Sequence, residues 1–232
     1  MPRVERDAEV TLVVLTYRSL RWLDFCMKAV DNAKTDVDYR WLVVSNDATE
    51  EIENDPRIGL RYRNTDPSEF YINRVYRAWN AGVMEAPTQL VCMLNSDMAP
   101  ADYWLDQLVK EKRDFPKMVP TSLLVESGRW PAGMPEYVRD FGKTPDEFRR
   151  GDFLNYAATI TQYNTCEPGR LYMPILVDRQ EFIDIGMYPE CNPPGTTGDK
   201  DLIRRYAEAG YQHVTALGSV VYHVQTGEQL WP

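Results

Sequence analysis

An α/β fold, a mostly parallel sheet covered on both faces by helices, is what this sequence predicts. Two features carry the prediction. Short apolar runs rich in β-branched residues alternate with segments whose apolar residues recur at helical spacing. Three of those runs stop abruptly in polar tips, and parallel strands joined by right-handed crossovers deliver such tips to one edge of a sheet.

Val10-Thr11-Leu12-Val13-Val14-Leu15, followed by Thr16-Tyr17-Arg18-Ser19, reads as a fully buried strand. Ser19 is placed to cap a helix whose stripe is Leu20, Leu23, Phe25, Met27 and Val30. Tyr39 to Val44 is a second buried strand ending in Ser45-Asn46-Asp47, and Gly59 to Arg63 is a short third one. A helix from about Ile72 to Glu85 leads into the apolar strand Leu90 to Leu94, which stops at Asn95-Ser96-Asp97. Pro100 suits the first turn of the next helix, through Trp104, Leu105, Leu108 and Val109. From about Met118 to Arg170 periodicity breaks down, and Pro, Gly and aromatic residues crowd together. A long irregular stretch in a compact domain is as a rule functional, with an ordinary packed excursion as the alternative. Regularity returns from Leu171 to Ile185. The loop Pro193-Pro194-Gly195-Thr196-Thr197-Gly198 then precedes a short helix that starts near Asp199 and is closed by Gly210. Val214 to Tyr222 is a final strand leading to His223.

Composition narrows the function. The 232 residues, 44% of them hydrophobic, suit one α/β domain with a substantial core. No apolar run approaches the roughly 18–20 residues that span a bilayer. Met-Pro-Arg-Val-Glu-Arg-Asp at the start lacks the apolar segment of a secretory signal, so a cytoplasmic protein without a membrane span is expected. A net charge of −9 disfavours a broad nucleic-acid surface, although Arg139, Lys143, Arg149 and Arg150 form a local basic set. Cys26, Cys92, Cys166 and Cys191 show no zinc-like spacing, and the two histidines, His213 and His223, exclude a multi-histidine metal site.

Chemistry concentrates at the strand tips. Thr16, Asp47 and Asp97 should gather on one sheet edge, a constellation more specific than any member. A hard oxygen ligand such as Asp97, with room for water, suits a divalent cation holding phosphates, though Asn, Ser and Asp also dominate ordinary turns.

Several ordered segments resemble family-2-type glycosyltransferases, which have a GT-A nucleotide-sugar-binding fold. Val13-Val14-Leu15-Thr16-Tyr17 is similar to the opening strand and nucleotide loop, and Val43-Val44-Ser45-Asn46-Asp47 to the second strand with its base-contacting Asp. Ala78-Trp79-Asn80-Ala81-Gly82 resembles the Arg-Asn-x-Gly segment, with Trp79 in place of Arg. Leu94-Asn95-Ser96-Asp97 stands at the Asp-x-Asp metal motif, with Asn95 replacing the first Asp. Arg179-Gln180-Glu181-Phe182 through Gly186 resembles Arg-x-x-Phe-x-x-x-Gly. Gly198-Asp199-Lys200-Asp201-Leu202-Ile203-Arg204-Arg205 resembles Glu-Asp-x-Asp-Leu-x-x-Arg, with Gly198 for Glu, and Val221-Tyr222-His223 the late strand with its His.

The resemblance implies a single Rossmann-like GT-A domain over residues 1–232, about 1–117 binding the nucleotide sugar and about 118–232 the acceptor. It implies metal-dependent transfer of a hexosyl or pentosyl group from a UDP- or GDP-type sugar to a hydroxyl acceptor. Asp97 and His223 would hold Mn2+ or Mg2+ against the charge of the departing diphosphate, the imidazole tipping the preference modestly toward Mn2+. A satisfied strand-end histidine is the other reading of His223. Thr16, Tyr17, Arg18, Asp47, Asn80, Asn95 and Ser96 are the donor-site candidates, Tyr17 stacking on the base and Asp47 accepting from a ring N–H. Arg74 or Arg77 would reach the diphosphate or lie on a charged helix face.

Asp199 is the candidate base for the acceptor hydroxyl, and direct attack with its help would invert the anomeric carbon, while retaining enzymes of the same fold also use Asp-x-Asp and His. It is equally placed to be an N-cap, and Asp201 is placed for the cap or for an acceptor hydroxyl. Trp130 and Tyr137 are candidates to stack on an acceptor ring or to pack in the core. The acceptor classes left open are a glycan, a small molecule, a protein and a modified DNA base, the last requiring a concentrated basic surface. A nucleotidyltransferase of related fold would open with a Gly-rich basic loop, which Thr16-Tyr17-Arg18-Ser19 lacks. A non-catalytic nucleotide-sugar or glycan-binding module is kept open by Trp79, Asn95 and Gly198.

Overall fold

Val10–Thr16 forms strand β1, buried throughout except at Leu15, and a strand covered on both faces belongs in the middle of its sheet. The computed structural model, which describes residues 8–66, 68–131, 133–193, 197–225 and 227–228, places it there. β1 pairs in parallel with β2 (Tyr39–Asn46) on one side and β4 (Leu90–Leu94) on the other, and β3 (Ile58–Tyr62) extends the parallel array beyond β2. The remaining strands are β5 (Met98–Pro100), β6 (Met118–Glu126), β7 (Cys166–Pro168), β8 (Ile175–Asp178) and β9 (Gln212–His223). Among the described residues they complete a nine-stranded sheet in the order β3-β2-β1-β4-β8-β6-β9-β5, with β7 also paired to β9.

Strand direction positions the site. β8 runs antiparallel to β4, β6 antiparallel to β8, and β9 parallel to β6. Two reversals restore the original sense, so β1, β2, β4, β6 and β9 all end on one edge. The β6–β9 pairing also slips: Ser122 is opposite Ala216, yet Leu123 is opposite Val220. After the slip Glu126 lies across from His223, and His223 lies across from Met98 on its other side.

Helices cover the sheet: α1 (Leu20–Asp31), α2 (Glu50–Glu53), α3 (Tyr71–Glu85), α4 (Trp104–Asp114), α5 (Arg150–Ile160), α6 (Arg179–Asp184) and α7 (Asp199–Glu208). α1 buries Leu23, Phe25 and Val30 of the expected stripe, together with Trp22, Cys26 and Ala29, while Leu20 and Met27 are half-buried. No helix among the described residues is long and apolar enough to cross a membrane.

Three expectations are corrected. Ser19 stands at the N-cap of α1 but makes no side-chain cap bond. Pro100 ends β5 rather than opening a helix, because Met98–Pro100 pairs with Val221–His223, and α4 starts only at Trp104. The stretch from Met118 to Arg170 is partly regular. Pro120 and the polar Thr121-Ser122 pair mask a strand that is buried from Val119 to Glu126, and α5 buries only Phe153 and Ala157, too few to show a stripe. Met1 to Asp7 and Pro194-Gly195-Thr196 lie outside the described residues.

Gly82 is where α3 crosses β1 and β2. A Cβ added there would meet Val13 Cγ1 at 2.7 Å and Val44 Cγ2 at 3.1 Å, whereas one added at Gly151 in α5 meets nothing within 4 Å. Ala gains about 1 kcal/mol over Gly within a helix, so Gly151→Ala is expected to stabilise slightly. Gly82→Ala is expected to destabilise by about 1–3 kcal/mol despite the same gain, because overpacking displaces both strands. Urea unfolding checks the pair, and stabilisation by both would refute the close seating of α3.

Candidate functional site

The edge where β1, β2, β4, β6 and β9 end carries a buried cluster of charge. His223 Nε2 lies 3.4 Å from Asp97 Oδ2, and His223 Nδ1 lies 2.9 Å from Glu126 Oε2. Asp97 and Glu126 are 6% and 4% exposed, so each carboxylate depends on a protein partner to offset lost hydration. Burial disfavours the protonated imidazole, but the Asp97 carboxylate, helped by Glu126, outweighs it and raises His223 to about 10. Burial pushes Asp97 upward too, and the His223 charge overcomes this and holds Asp97 below its ordinary value.

The chain beyond β9 closes over this cluster. Gly227 N–H donates to Asp97 Oδ2 at 3.0 Å, and a Cβ on Gly227 would meet Asp97 Cβ at 2.5 Å. Glu228 then takes the loop after β1: its carboxylate accepts from Tyr17 N–H (2.7 Å), Arg18 N–H (3.0 Å), the Thr16 hydroxyl (3.1 Å) and the Ser96 hydroxyl (3.4 Å). Burial raises the Glu228 carboxyl, with the nearby Asp97 charge adding to it, against the hydrogen bonds that favour its ionised form. Gln225 accepts from Trp130 N–H and donates to Trp130 O, which pins the backbone of a tryptophan that is 61% exposed.

A cavity of about 670 Å³ opens on this edge. Tyr17, Arg18, Asn95, Ser96, Asp97, Trp130 and His223 line it, together with Glu126, Arg74, Trp79, Asn46 and Glu228. Arg18 stacks over the Tyr17 ring at 4.6 Å. Asp47 does not line the cavity. Its carboxylate accepts from Asn64 N–H and the Asn64 amide, and from Arg74 Nε and Nη2 at 3.0 and 2.7 Å, so it fixes Arg74 at the wall. Burial raises the Asp47 carboxyl, and the Asn64 and Arg74 bonds bring it below its ordinary value.

A second cavity of about 660 Å³ adjoins the first and holds Asp199, Tyr76, Tyr172, Arg170 and Met134. Gly198 is the N-cap of α7 and Asp199 its first residue, so Asp199 is not the capping side chain. Its Oδ2 accepts from the Tyr76 hydroxyl at 3.2 Å, and burial raises its pKa above the ordinary value.

Other expected residues stand elsewhere. Thr16 is fully buried beneath Glu228. Asn80 holds the loop after α6, bonding Tyr188 N–H, Tyr188 O and Glu190. Tyr137 packs against the core, and Asp201 pairs with Arg204 on the outer face of α7, so neither lines these two cavities. Sequence reasoning missed Glu126, Gln225 and Glu228. Glu126 did carry a signal: it is another acid at the end of an apolar run, Leu123-Leu124-Val125.

The cluster fits a cation. Oδ2 of Asp97 and Nε2 of His223, 3.4 Å apart, span a distance that two ligands of one ion bridge at about 2.1 Å each. Asp97, Glu126 and Glu228 together also exceed the charge of one imidazole. Among the described residues no group of three or more His, Cys, Asp and Glu side chains is arranged to hold a metal ion.

No family model matches the chain, and no curated relative does. Solved structures resemble it in three dimensions. GalNAc-T7, determined with UDP, GalNAc and Mn2+, aligns with a TM-score of 0.64 at 12% identity, over 95% of this chain and 44% of that one. The mannosyltransferase PcManGT from Pyrobaculum calidifontis, in complex with GDP-Man and Mn2+, gives 0.58 at 16% identity, over 95% and 58%. TarS residues 1–349 from S. aureus give 0.56 at 11% identity, over 93% and 60%. The chain spans about half the length of these proteins. The likeness is one of fold, and the fold is the GT-A arrangement that the motif order predicts.

His223 is raised in the folded state, so its pairing stabilises the metal-free protein fully below the ordinary value of 6.5 and is lost as pH rises toward about 10. The stability gap between wild type and His223→Gln is therefore expected to narrow by on the order of a few kcal/mol across that window. Denaturant unfolding at a series of pH values measures it, and a gap independent of pH would contradict the pairing.

Proposed function

We propose that this protein is a metal-dependent glycosyltransferase that moves a sugar from a nucleoside-diphosphate donor to a hydroxyl acceptor. The observation that carries the reading is the pair of adjoining cavities. They share the wall Val75, Trp79, Asn95, Glu126 and His223, while Asp97 faces only the first and Asp199 only the second. A reaction between two substrates needs such a layout, with a donor chamber, an acceptor chamber and a reacting atom at their junction. The solved structures of similar fold support it: GalNAc-T7 was determined with UDP and Mn2+, and PcManGT with GDP-Man and Mn2+. Motif order supports placing the chain among family-2-type enzymes.

In this reading the first cavity takes the nucleotide. Tyr17 offers a ring for the base, Arg74 and Asn46 offer polar groups to the base edge, and Asp47 keeps Arg74 in place. Asp97 and His223 would hold Mn2+ or Mg2+, which when bound would neutralise charge on the departing diphosphate. The acceptor hydroxyl sits in the second cavity, where Tyr172 and Trp79 present apolar faces to it. Its oxygen bonds to the anomeric carbon, its proton passes to Asp199, and the bond from that carbon to the diphosphate oxygen breaks on the opposite face. The anomeric configuration inverts. A carboxylate raised by burial is a better proton acceptor near neutral pH than an exposed one.

Asp199→Asn is expected to lower transfer by about 10²–10⁴-fold while leaving donor affinity, measured by calorimetry, within about twofold. Because Asp199 must be ionised and its pKa is raised, the acid limb of the wild-type rate profile should lie above the ordinary 3.8 and vanish in the variant. Assays with UDP- and GDP-sugars, with Mn2+ and with a chelator, supply the rates. Nucleotide binding with neither donor hydrolysis nor transfer, across acceptors of the four classes, would make the chain a binding module instead.

A further inference from the structure

We propose that Glu126 is a positioning residue for the cation site, fixing the His223 ring so that Nε2 rather than Nδ1 is presented beside Asp97. The inference rests on the reading that His223 holds the divalent ion of the glycosyl-transfer site. A histidine binds a metal through the lone pair of one ring nitrogen, and the proton then resides on the other. Here the two nitrogens face different carboxylates: Nε2 is 3.4 Å from Asp97 Oδ2 and Nδ1 is 2.9 Å from Glu126 Oε2. Neither Nδ1 nor Oε2 makes another hydrogen bond among the described residues, and their contact is an ion pair rather than an aligned bond. A buried carboxylate with no other partner, against the imidazole nitrogen that points away from Asp97, is the arrangement by which an outer carboxylate sets a ligand's tautomer and orientation.

The backbone is built around this contact. The slip between Ser122 and Leu123 carries β9 from Ala216 to Val220, and only after it does Glu126 come opposite His223. Bulges of this kind commonly re-aim a side chain next to a site. Glu126 is then locked from above. Its carbonyl accepts from Arg139 N–H at 2.9 Å, and Gly133, at φ +90°, packs so closely that a Cβ there would meet Glu126 Cγ at 2.4 Å. A side chain free to swing into either cavity would not need that cover.

The test is a double-mutant cycle on Mn2+ affinity, read on the full chain by paramagnetic resonance of free Mn2+, with and without UDP or GDP. Glu126→Leu is expected to weaken Mn2+ binding by about 10–100-fold. Glu126→Gln, whose amide oxygen still accepts from Nδ1–H, should recover most of the loss. In a His223→Ala background Glu126→Leu should change affinity little, because Glu126 acts through the ring. The nitrogen-15 spectrum of His223 in the Mg2+-loaded protein should show the proton on Nδ1 in wild type and Glu126→Gln. An equal loss in the His223→Ala background would make Glu126 a direct ligand and overturn the proposal, as would unchanged affinity in Glu126→Leu or no Mn2+ uptake by wild type. Sugar transfer is a separate readout: an intact cycle in a protein that transfers nothing would sink the proposed function and leave the role of Glu126 standing.

Discussion

The interaction on which the strand edge depends is His223 held between two buried carboxylates. Each comes from a different pairing decision in the sheet. Asp97 follows β4, whose parallel alignment with β1 sets where that strand stops, while Glu126 and His223 close β6 and β9. Had β6 and β9 continued in the register of Ser122 with Ala216, Glu126 would lie across from Val220, three residues short of the imidazole. The slip is supported locally: the Ser122 and Ser219 hydroxyls are 2.8 Å apart, and Gly218 lies where any Cβ would meet Gln107 Oε1 at 2.5 Å. A bulge far below the edge thus decides which side chains meet at it.

The same cluster explains why the chain folds back after β9. Asp97 and Glu126 leave one negative charge beyond what a protonated His223 neutralises, and the return of Glu228 brings another carboxylate alongside. Buried charge of one sign is costly unless it is hydrogen-bonded or paired with a cation. Glu228 is compensated by main-chain N–H groups and hydroxyls rather than by a basic side chain. Backbone N–H groups of a loop after a strand are also what an anionic ligand seeks. The edge is therefore tuned for alternating charge: donors at Thr16–Arg18, a carboxylate excess at Asp97 and Glu126, and the Arg74 guanidinium on the far wall.

Much of the fold was legible because its central strands are apolar end to end and their tips are polar. β1, β2 and β4 announce themselves in this way, but of the expected trio Thr16, Asp47 and Asp97 only Asp97 lines the first cavity. β6 was hidden because Pro120, Thr121 and Ser122 interrupt it, and with it went Glu126. The partners of polar groups were less readable still. Asp47 is indistinguishable in sequence from a base-binding carboxylate, yet Arg74 and Asn64, 27 and 17 residues away, saturate it. Asn80 likewise serves a loop 108 residues on. Short-range pattern reports which face a residue is on. It does not report which distant polar group reaches it first.

Asp97 and Asp199 show how one fold can shift two buried carboxylates in opposite directions. Both are removed from water, and burial alone would raise each of them. Asp97 has an imidazole against it and is lowered. Asp199 has no cation among its perturbing partners; its closest is the Tyr76 hydroxyl, and it remains raised. Pairs of acids driven apart in this way are where ligand and proton-acceptor roles separate. The wall between them makes the separation durable. Trp79, 2% exposed, stands in both cavities where the resembling family carries Arg. A guanidinium there would pull both carboxylates down. An indole leaves Asp199 its elevated affinity for a proton and adds a flat apolar surface where the two cavities meet.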